Sequence, residues 1–290
     1  MNIVYIENPQ KITLKDEQLV FSNEDGEVIL NHHDVSVIII DNMQTSISIP
    51  TLLKLDQCDI LCIICDQKHQ PILTLTNQYA YYQLTYRLKQ QITWSEEVKA
   101  ETAKLIIYNK IYQQQRLLNT LQFSRYNVFE ELLYKVDNSE HIHHQEALAA
   151  RMYFKLLFGS MFKRFQNDIA NQALNYTYMI LSAMIAQTLI AKGLHPALGF
   201  IHYSKFNNYN LVFDIIEAYR PLADRHVFQG LKKFSRLDKS FKKYLLTILH
   251  SDIIIESNTI SIRKSVELFI DSIIKFCQGE GTITFPKVFY

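Results

Sequence analysis

Ile72-Leu73-Thr74-Leu75 is a short strand-like run, and two residues after it the sequence Gln78-Tyr79-Ala80-Tyr81-Tyr82-Gln83-Leu84 begins a Tyr-, Leu- and Gln-rich stretch that reads as helix through Gln91. The hydrophobic period changes between them, from that of strands to that of helices. Upstream, Lys11-Ile12-Thr13-Leu14-Lys15 alternates polar and apolar, and Gln18-Leu19-Val20-Phe21 is followed by the turn Glu24-Asp25-Gly26 and by Val28-Ile29-Leu30. That combination predicts a hairpin. Val35 to Ile40 is nearly all β-branched, as in a strand covered on both faces. Ser48-Ile49-Pro50 opens a short helix through Leu55, and Ile60–Ile64 reads as a further strand. Residues 1–77 therefore form a small β-rich domain of about six to eight strands.

Residues 78–95 read as a helical linker and 96–290 as a larger helical domain, an α+β chain overall. Thr93 and Glu96 have the spacing of a capping box opening a long helix towards Leu121. Leu105, Ile106, Tyr108, Ile111, Tyr112, Leu117 and Leu118 supply its apolar face. A helix over Val128–Val136 precedes a polar linker, Asp137–His144. Gly159 ends a helix that starts near Glu146, and Gly193 stops another running from Ile169 to Lys192. Asn210 is placed to cap the helix carrying Asp214 and Glu217, which Pro221 closes. Helices near Asp238–Leu249 and Ile260–Cys277 follow, and the β-branched, aromatic tail Thr282–Tyr290 is expected to dock on another subunit.

Composition sets bounds. A chain of 290 residues, 48% hydrophobic and 20% charged, has room for two domains, and its seven glycines and six prolines favour long helices. Met1-Asn2-Ile3-Val4 lacks the pattern of a signal peptide. The greasiest stretch, Tyr178 to Ala191, is broken by Ser182, Gln187 and Thr188 and reads as a core helix rather than a membrane span. A cytoplasmic location follows as an expectation. Cys62 and Cys65 sit on a strand, where positions three apart face opposite ways, so a zinc or redox pair is not expected. Residues 1–77 carry a net charge of −7 and the remainder +8. Within Arg220–Lys243 eight basic residues, among them Lys232, Lys233 and Arg236, face only Asp224 and Asp238. Such a run is either a solvated helix face or a track for a phosphate backbone.

Glu146, His202 and Glu217 lie in separate apolar and basic settings. Singly, a first-turn glutamate complements a helix dipole, a histidine beside an apolar run belongs to the core, and Asp214 with Glu217 makes a solvated face. Jointly, two carboxylates and an imidazole form a ligand set suited to Mg²⁺ or Mn²⁺. His141-Ile142-His143-His144, packed on a loop, reads as solvated linker instead of a metal tract.

The words around these residues are Thr93-Trp94-Ser95-Glu96-Glu97-Val98-Lys99, Glu146-Ala147 with Ala149-Ala150-Arg151-Met152-Tyr153-Phe154, Leu174-Asn175-Tyr176, Leu194-His195-Pro196-Ala197-Leu198-Gly199-Phe200-Ile201-His202, and Asp214 through Pro221. In order and spacing they resemble the CRISPR-associated spacer-acquisition integrase family, the "Cas-one" endonucleases of antiviral defence, and in particular its type II members. Thr177 replaces the glycine that commonly follows Asn-Tyr, and Ala218 a proline. The resemblance implies an N-terminal β-sandwich that pairs two protomers and an α-helical catalytic domain. It makes Glu146, His202 and Glu217 the metal ligands, with Asp214 at the site as an auxiliary ligand or water-orienting group. Arg151 and Arg220 become phosphate contacts or structural ion-pair partners.

The implied activity is a metal-dependent DNA endonuclease and integrase. A 3′-hydroxyl of a captured fragment attacks a phosphodiester of the CRISPR repeat, with Mg²⁺ or Mn²⁺ stabilising the developing charge. The implied partners are double-stranded DNA, a second copy in a homodimer, and a small ferredoxin-like second adaptation protein in a heterohexamer. A type II effector nuclease and a ring-forming DNA-end protein complete the set. The alternatives are a structure-selective repair nuclease and a non-catalytic DNA-binding scaffold that retains the fold.

Overall fold

The structure is a computed structural model describing residues 2–77, 81–123, 128–138 and 142–288. It divides into two compact units, Met1–Tyr81 and Tyr82–Tyr290. His141 of the histidine tract, Gln78–Ala80 of the linker and Phe289–Tyr290 of the tail lie outside the described residues.

The first unit holds β1 (Asn2–Ile6), β2 (Lys11–Lys15), β3 (Gln18–Asn23), β4 (Gly26–Asn31), β5 (Val35–Ile40), β6 (Ser46–Ile47), α1 (Ile49–Gln57), β7 (Leu61–Cys65) and β8 (Pro71–Thr74). The strands make two four-stranded sheets, ordered β1-β5-β7-β8 and β4-β3-β2-β6. β1, β5 and β7 run parallel and β3–β4 is the expected hairpin. β5 lies inside its sheet, which is why it could be β-branched throughout. Ile6, Ile38, Ile40 and Cys62 of one sheet meet Ile12, Leu19 and Phe21 of the other, with Leu55 of α1 among them. Ser48 caps α1 by accepting from Thr51 N. Cys62 and Cys65 are buried and in no disulfide, and burial pushes Cys62 up to about 11, so it stays protonated and inert.

The second unit runs α2 (Leu84–Thr93), α3 (Glu96–Thr120), α4 (Val128–Asn138), α5 (Ile142–Phe158), α6 (Ile169–Ala191), α7 (Asn210–Ile216), α8 (Arg220–Gly230), α9 (Lys239–Leu246), β9 (Asp252–Ile255), β10 (Asn258–Ser261) and α10 (Ile262–Cys277). By length and composition α6 alone among the described helices could cross a bilayer, but 67% of that window is buried inside the fold. It is the core helix. Thr177 fits within it because its hydroxyl donates to Ala173 O at 2.8 Å.

Several local expectations change. Ser95, not Thr93, caps α3, accepting from Val98 N, while Thr93 ends α2 with its hydroxyl on the carbonyls of Lys89 and Gln90. Of the linker read between Asp137 and His144, residues 137–138 close α4 and 142–144 open α5, so His143 and His144 stand in the first turn of α5, while 139–141 lie outside the described residues. Asn210 does not cap α7; its amide donates to Ala197 O and Ser204 O and ties the preceding loop. Pro221 starts α8 instead of closing a helix, since a first-turn N–H has no helical partner to lose.

The helical domain is also not all-α. β9 and β10 form a hairpin whose turn residues Glu256 and Ser257 have φ of 47° and 69°. No Asn-Gly or Asp-Gly marks that turn, which hid it from a reading of sequence. The tail finds its partner within its own chain: Lys287 pairs with Ile254, Phe285 packs on Phe269, and Pro286 O accepts from Gln113. The described part of the tail is therefore not without a partner of its own, which was the ground for expecting it to dock on another subunit.

Asp224 of α8 is fully buried and accepts from Tyr153 of α5 at 2.8 Å and from Tyr178 of α6, joining three helices. Burial raises its carboxyl from 3.8 to about 6, against the two phenols and Arg220, which pull it down. The folded state therefore binds this proton more tightly than the unfolded chain does. The associated stability falls as pH rises from the unfolded value through about 6, by an amount on the order of 3 kcal/mol. Urea denaturation at stepped pH should show this slope in the wild type and a flatter one in Asp224→Asn. Equal slopes would clear Asp224 as the source.

Candidate metal centre and its supports

Gly193, with φ of 74°, ends α6, and the chain turns back through His195-Pro196. Gln91 of α2 clamps this loop: its amide donates to His195 O and Leu198 O and its oxygen accepts from His195 N. Trp94 stacks on Phe200, 5.7 Å between centroids. The loop then wraps a single carboxylate. Asp214, buried on α7, accepts from the backbone N–H groups of Phe200, Ile201 and His202 and from His202 Nδ1 at 2.6 Å. Gly199 is required by this approach, because a Cβ there would lie 2.7 Å from Asp214 Oδ2 and 2.7 Å from His202 O.

With Nδ1–H given to Asp214, the His202 tautomer is set and Nε2 carries the lone pair. Nε2 has no hydrogen-bond partner among the described residues. The hydrogen bond that the ring donates to Asp214 raises the imidazole pKa, with attraction from Asp214 and Glu217 adding to it and burial opposing. Asp214 is thus a positioning group. Its oxygens accept from the loop and from His202, so any part as an auxiliary ligand would come in addition to that role.

Glu217 sits at the C-terminal cap of α7, 2% exposed. Arg220 Nε lies 3.0 Å from its Oε1 and Lys110 Nζ 2.8 Å from its Oε2. Burial works against its charge, but Arg220 and Lys110 outweigh it and hold the carboxyl below its ordinary value. Lys110 also donates to Glu146 Oε1 at 2.6 Å. Burial opposes its charge too, and the attraction of Glu217 and Glu146 prevails, raising it. The ammonium is not aimed at Glu217 Oε2, which accepts no well-directed hydrogen bond despite being buried.

The structure accordingly brings Glu146 and Glu217 to one cation and places His202 within electrostatic reach of Glu217. Among the described residues no group of three or more Asp, Glu, His or Cys side chains is arranged to hold a metal ion. The ammonium of Lys110 lies between the carboxylates of Glu146 and Glu217, in contact with both. The donor set itself fits a divalent ion: two carboxylates sharing one cation position, one oxygen of Glu217 lacking a hydrogen bond, and an imidazole with its outer nitrogen free.

Of the expected phosphate contacts, Arg151, Lys232, Lys233 and Arg236 are exposed. Arg220 pairs with Glu217 and lies 4.6 Å over the Tyr178 ring, the ion-pair role that was one of its two expected roles. Lys242 is also drawn inside, over Tyr176. Lys110 was missed by sequence reasoning, although a lysine between Ile106, Ile107, Ile111 and Gln114 on a buried stripe of α3 was its signal.

Comparison with known proteins bears on the family and the fold. The family model described as CRISPR associated protein Cas1 matches residues 4–254. A CRISPR-associated endonuclease Cas1 of Neisseria meningitidis serogroup C is 32% identical over 274 residues, spanning 92% of this chain and 89% of that one. One from Francisella tularensis subsp. novicida is 29% identical over 202 residues, 65% of this chain and 60% of that one. Two solved structures share the fold. A casposase bound to integration product superposes with TM-score 0.80 at 17% identity, covering 98% and 92% of the two chains. A Cas1 protein from Thermotoga maritima gives 0.75 at 16% identity, covering 97% and 99%. The match of the family model over most of the chain and the shared α+β fold define this chain's class. This chain belongs to the Cas1 family.

Replacing Asp214 by Ala strands three buried backbone N–H groups, and should cost roughly 3 kcal/mol or more in urea denaturation. Gly199→Ala should act in the same direction. A stability unchanged by either would show that the loop is held by other contacts.

Proposed function

We propose that this Cas1-family chain is the metal-dependent DNA integrase and endonuclease of CRISPR adaptation, inserting short DNA fragments into the repeat array. One observation carries the reading. Glu146 and Glu217, 71 positions apart in sequence, meet at a single cation position beside a histidine whose outer nitrogen is free. Glu146, His202 and Glu217 would hold Mg²⁺ or Mn²⁺, which supplies a Lewis acid to the phosphodiester under attack.

The chain's own residues do the rest. Asp214 fixes the ring of His202, and Arg220 holds Glu217 ionised in a buried setting. Exposed Lys232, Lys233 and Arg236 follow directly on α8 and supply sequence-independent attraction for the DNA backbone. Insertion forms a bond from a fragment 3′-oxygen to phosphorus and breaks the bond to the repeat's own 3′-oxygen. Two ends need two sites, so a homodimer is part of the proposal. A small second adaptation protein as bridge is supported by solved Cas6-RT-Cas1–Cas2 complexes of the same fold, one at TM-score 0.71 and 17% identity.

Glu146→Ala and His202→Ala should each abolish strand transfer into a supercoiled repeat plasmid, and added Mn²⁺ should not restore it. Full activity with Mn²⁺ would remove that residue from the ligand set. Charge reversal of Lys232 and Lys233 together should weaken duplex binding and flatten its dependence on salt by a slope of about two. An unaltered slope would make that patch ordinary solvated surface.

A further inference from the structure

Lys110 has no part in the reaction proposed above, yet its ammonium touches both of the carboxylates in the proposed ligand set. It rises from the middle of α3, its side chain only 10% exposed, 2.6 Å from Glu146 Oε1 and 2.8 Å from Glu217 Oε2. An ion ligated by the same oxygens would need to approach them to about 2.0–2.2 Å. The ammonium and a divalent ion cannot share that position, because like charges at such separation repel strongly in a buried site. One must leave for the other to enter.

The two cations beside Glu217 differ in their freedom. Neither contact with Glu217 is a well-directed hydrogen bond, so both act through charge. Arg220 has a second hold, its guanidinium lying 4.6 Å over the Tyr178 ring, whereas Lys110 carries its ammonium on a flexible four-carbon stem. Glu217 keeps Arg220 when Lys110 departs. A displaced ammonium, by contrast, loses both of its carboxylates and cannot stay buried and unpaired. The anion available at this site during the reaction is a DNA phosphate.

We infer that Lys110 is a tethered counter-cation that the divalent metal displaces and that then pairs with a phosphate of the bound DNA. The inference rests on the metal reading given above. Metal entry and phosphate capture are then coupled in one exchange, and the metal-free site is kept from carboxylate repulsion by the chain's own lysine.

Isothermal titration of the full chain with Mn²⁺, without DNA, tests the first half. Lys110→Met should bind Mn²⁺ about tenfold more tightly than wild type, within the usual range for coupled sites. Its metal-free melting temperature should fall and its Mn²⁺-induced rise should exceed that of wild type. Lys110→Gln, neutral but able to hydrogen-bond, serves if the Met variant does not fold. The second half is read from binding of a short duplex, shown intact afterwards, across a salt series. With Mn²⁺ the slope for Lys110→Met should be smaller than wild type by about one; without metal the slopes should coincide. Equal Mn²⁺ affinity in wild type and variant, with Glu217→Gln abolishing it in both, would overturn the exchange while leaving the metal site intact. Tighter Mn²⁺ binding with an unchanged slope would overturn the phosphate pairing. Mn²⁺ binding indifferent to Glu146→Gln and Glu217→Gln would overturn the metal reading and the exchange with it.

Discussion

A carboxylate with almost no exposure to water can remain ionised only if positive charge is built around it, and Glu217 has Lys110 and Arg220 on either side. Much of the second unit follows from that need. Arg220 must reach Glu217 from the start of α8, and its guanidinium lies over the ring of Tyr178, whose hydroxyl joins Tyr153 at Asp224. Lys110 must reach from α3, and in doing so it gathers Glu146 of α5. Helices distant in sequence are thus fixed around one negative charge.

A second carboxylate works by geometry instead of charge density. Asp214 collects the backbone donors of Phe200, Ile201 and His202 and the imidazole besides, so that the loop and its histidine behave as one body. Gly199 permits that closeness, and Gln91 and Trp94 brace the loop from α2 and its end. The result is a histidine whose inner nitrogen is committed and whose outer nitrogen is available. Two acids three positions apart on one short segment therefore divide the labour, Glu217 towards a cation and Asp214 towards the protein.

The N-terminal unit is a separate solution. Its two sheets enclose a core of isoleucine, leucine and phenylalanine with Cys62 inert among them. Its charge balance is acidic and that of the remainder basic, and Lys232, Lys233 and Arg236 of the helical unit remain exposed, as the proposed duplex contact requires.

The sequence by itself determined the β-to-helix change after Asn77, the β3–β4 hairpin, the buried β5, the core helix ending at Gly193, and the family through words such as those around Glu146, His202 and Glu217. Those are local periodicities, turn residues and short motifs, which the chain carries without reference to its fold. Only tertiary structure decided that Asp214 serves the loop, that Arg220 is an ion-pair partner, and that the tail pairs with Ile254. It alone revealed Lys110, 36 positions from Glu146 and 107 from Glu217. Contacts between charges depend on which helices are neighbours, and neighbourhood across such separations is set by how the buried faces pack, not by any pattern along the chain.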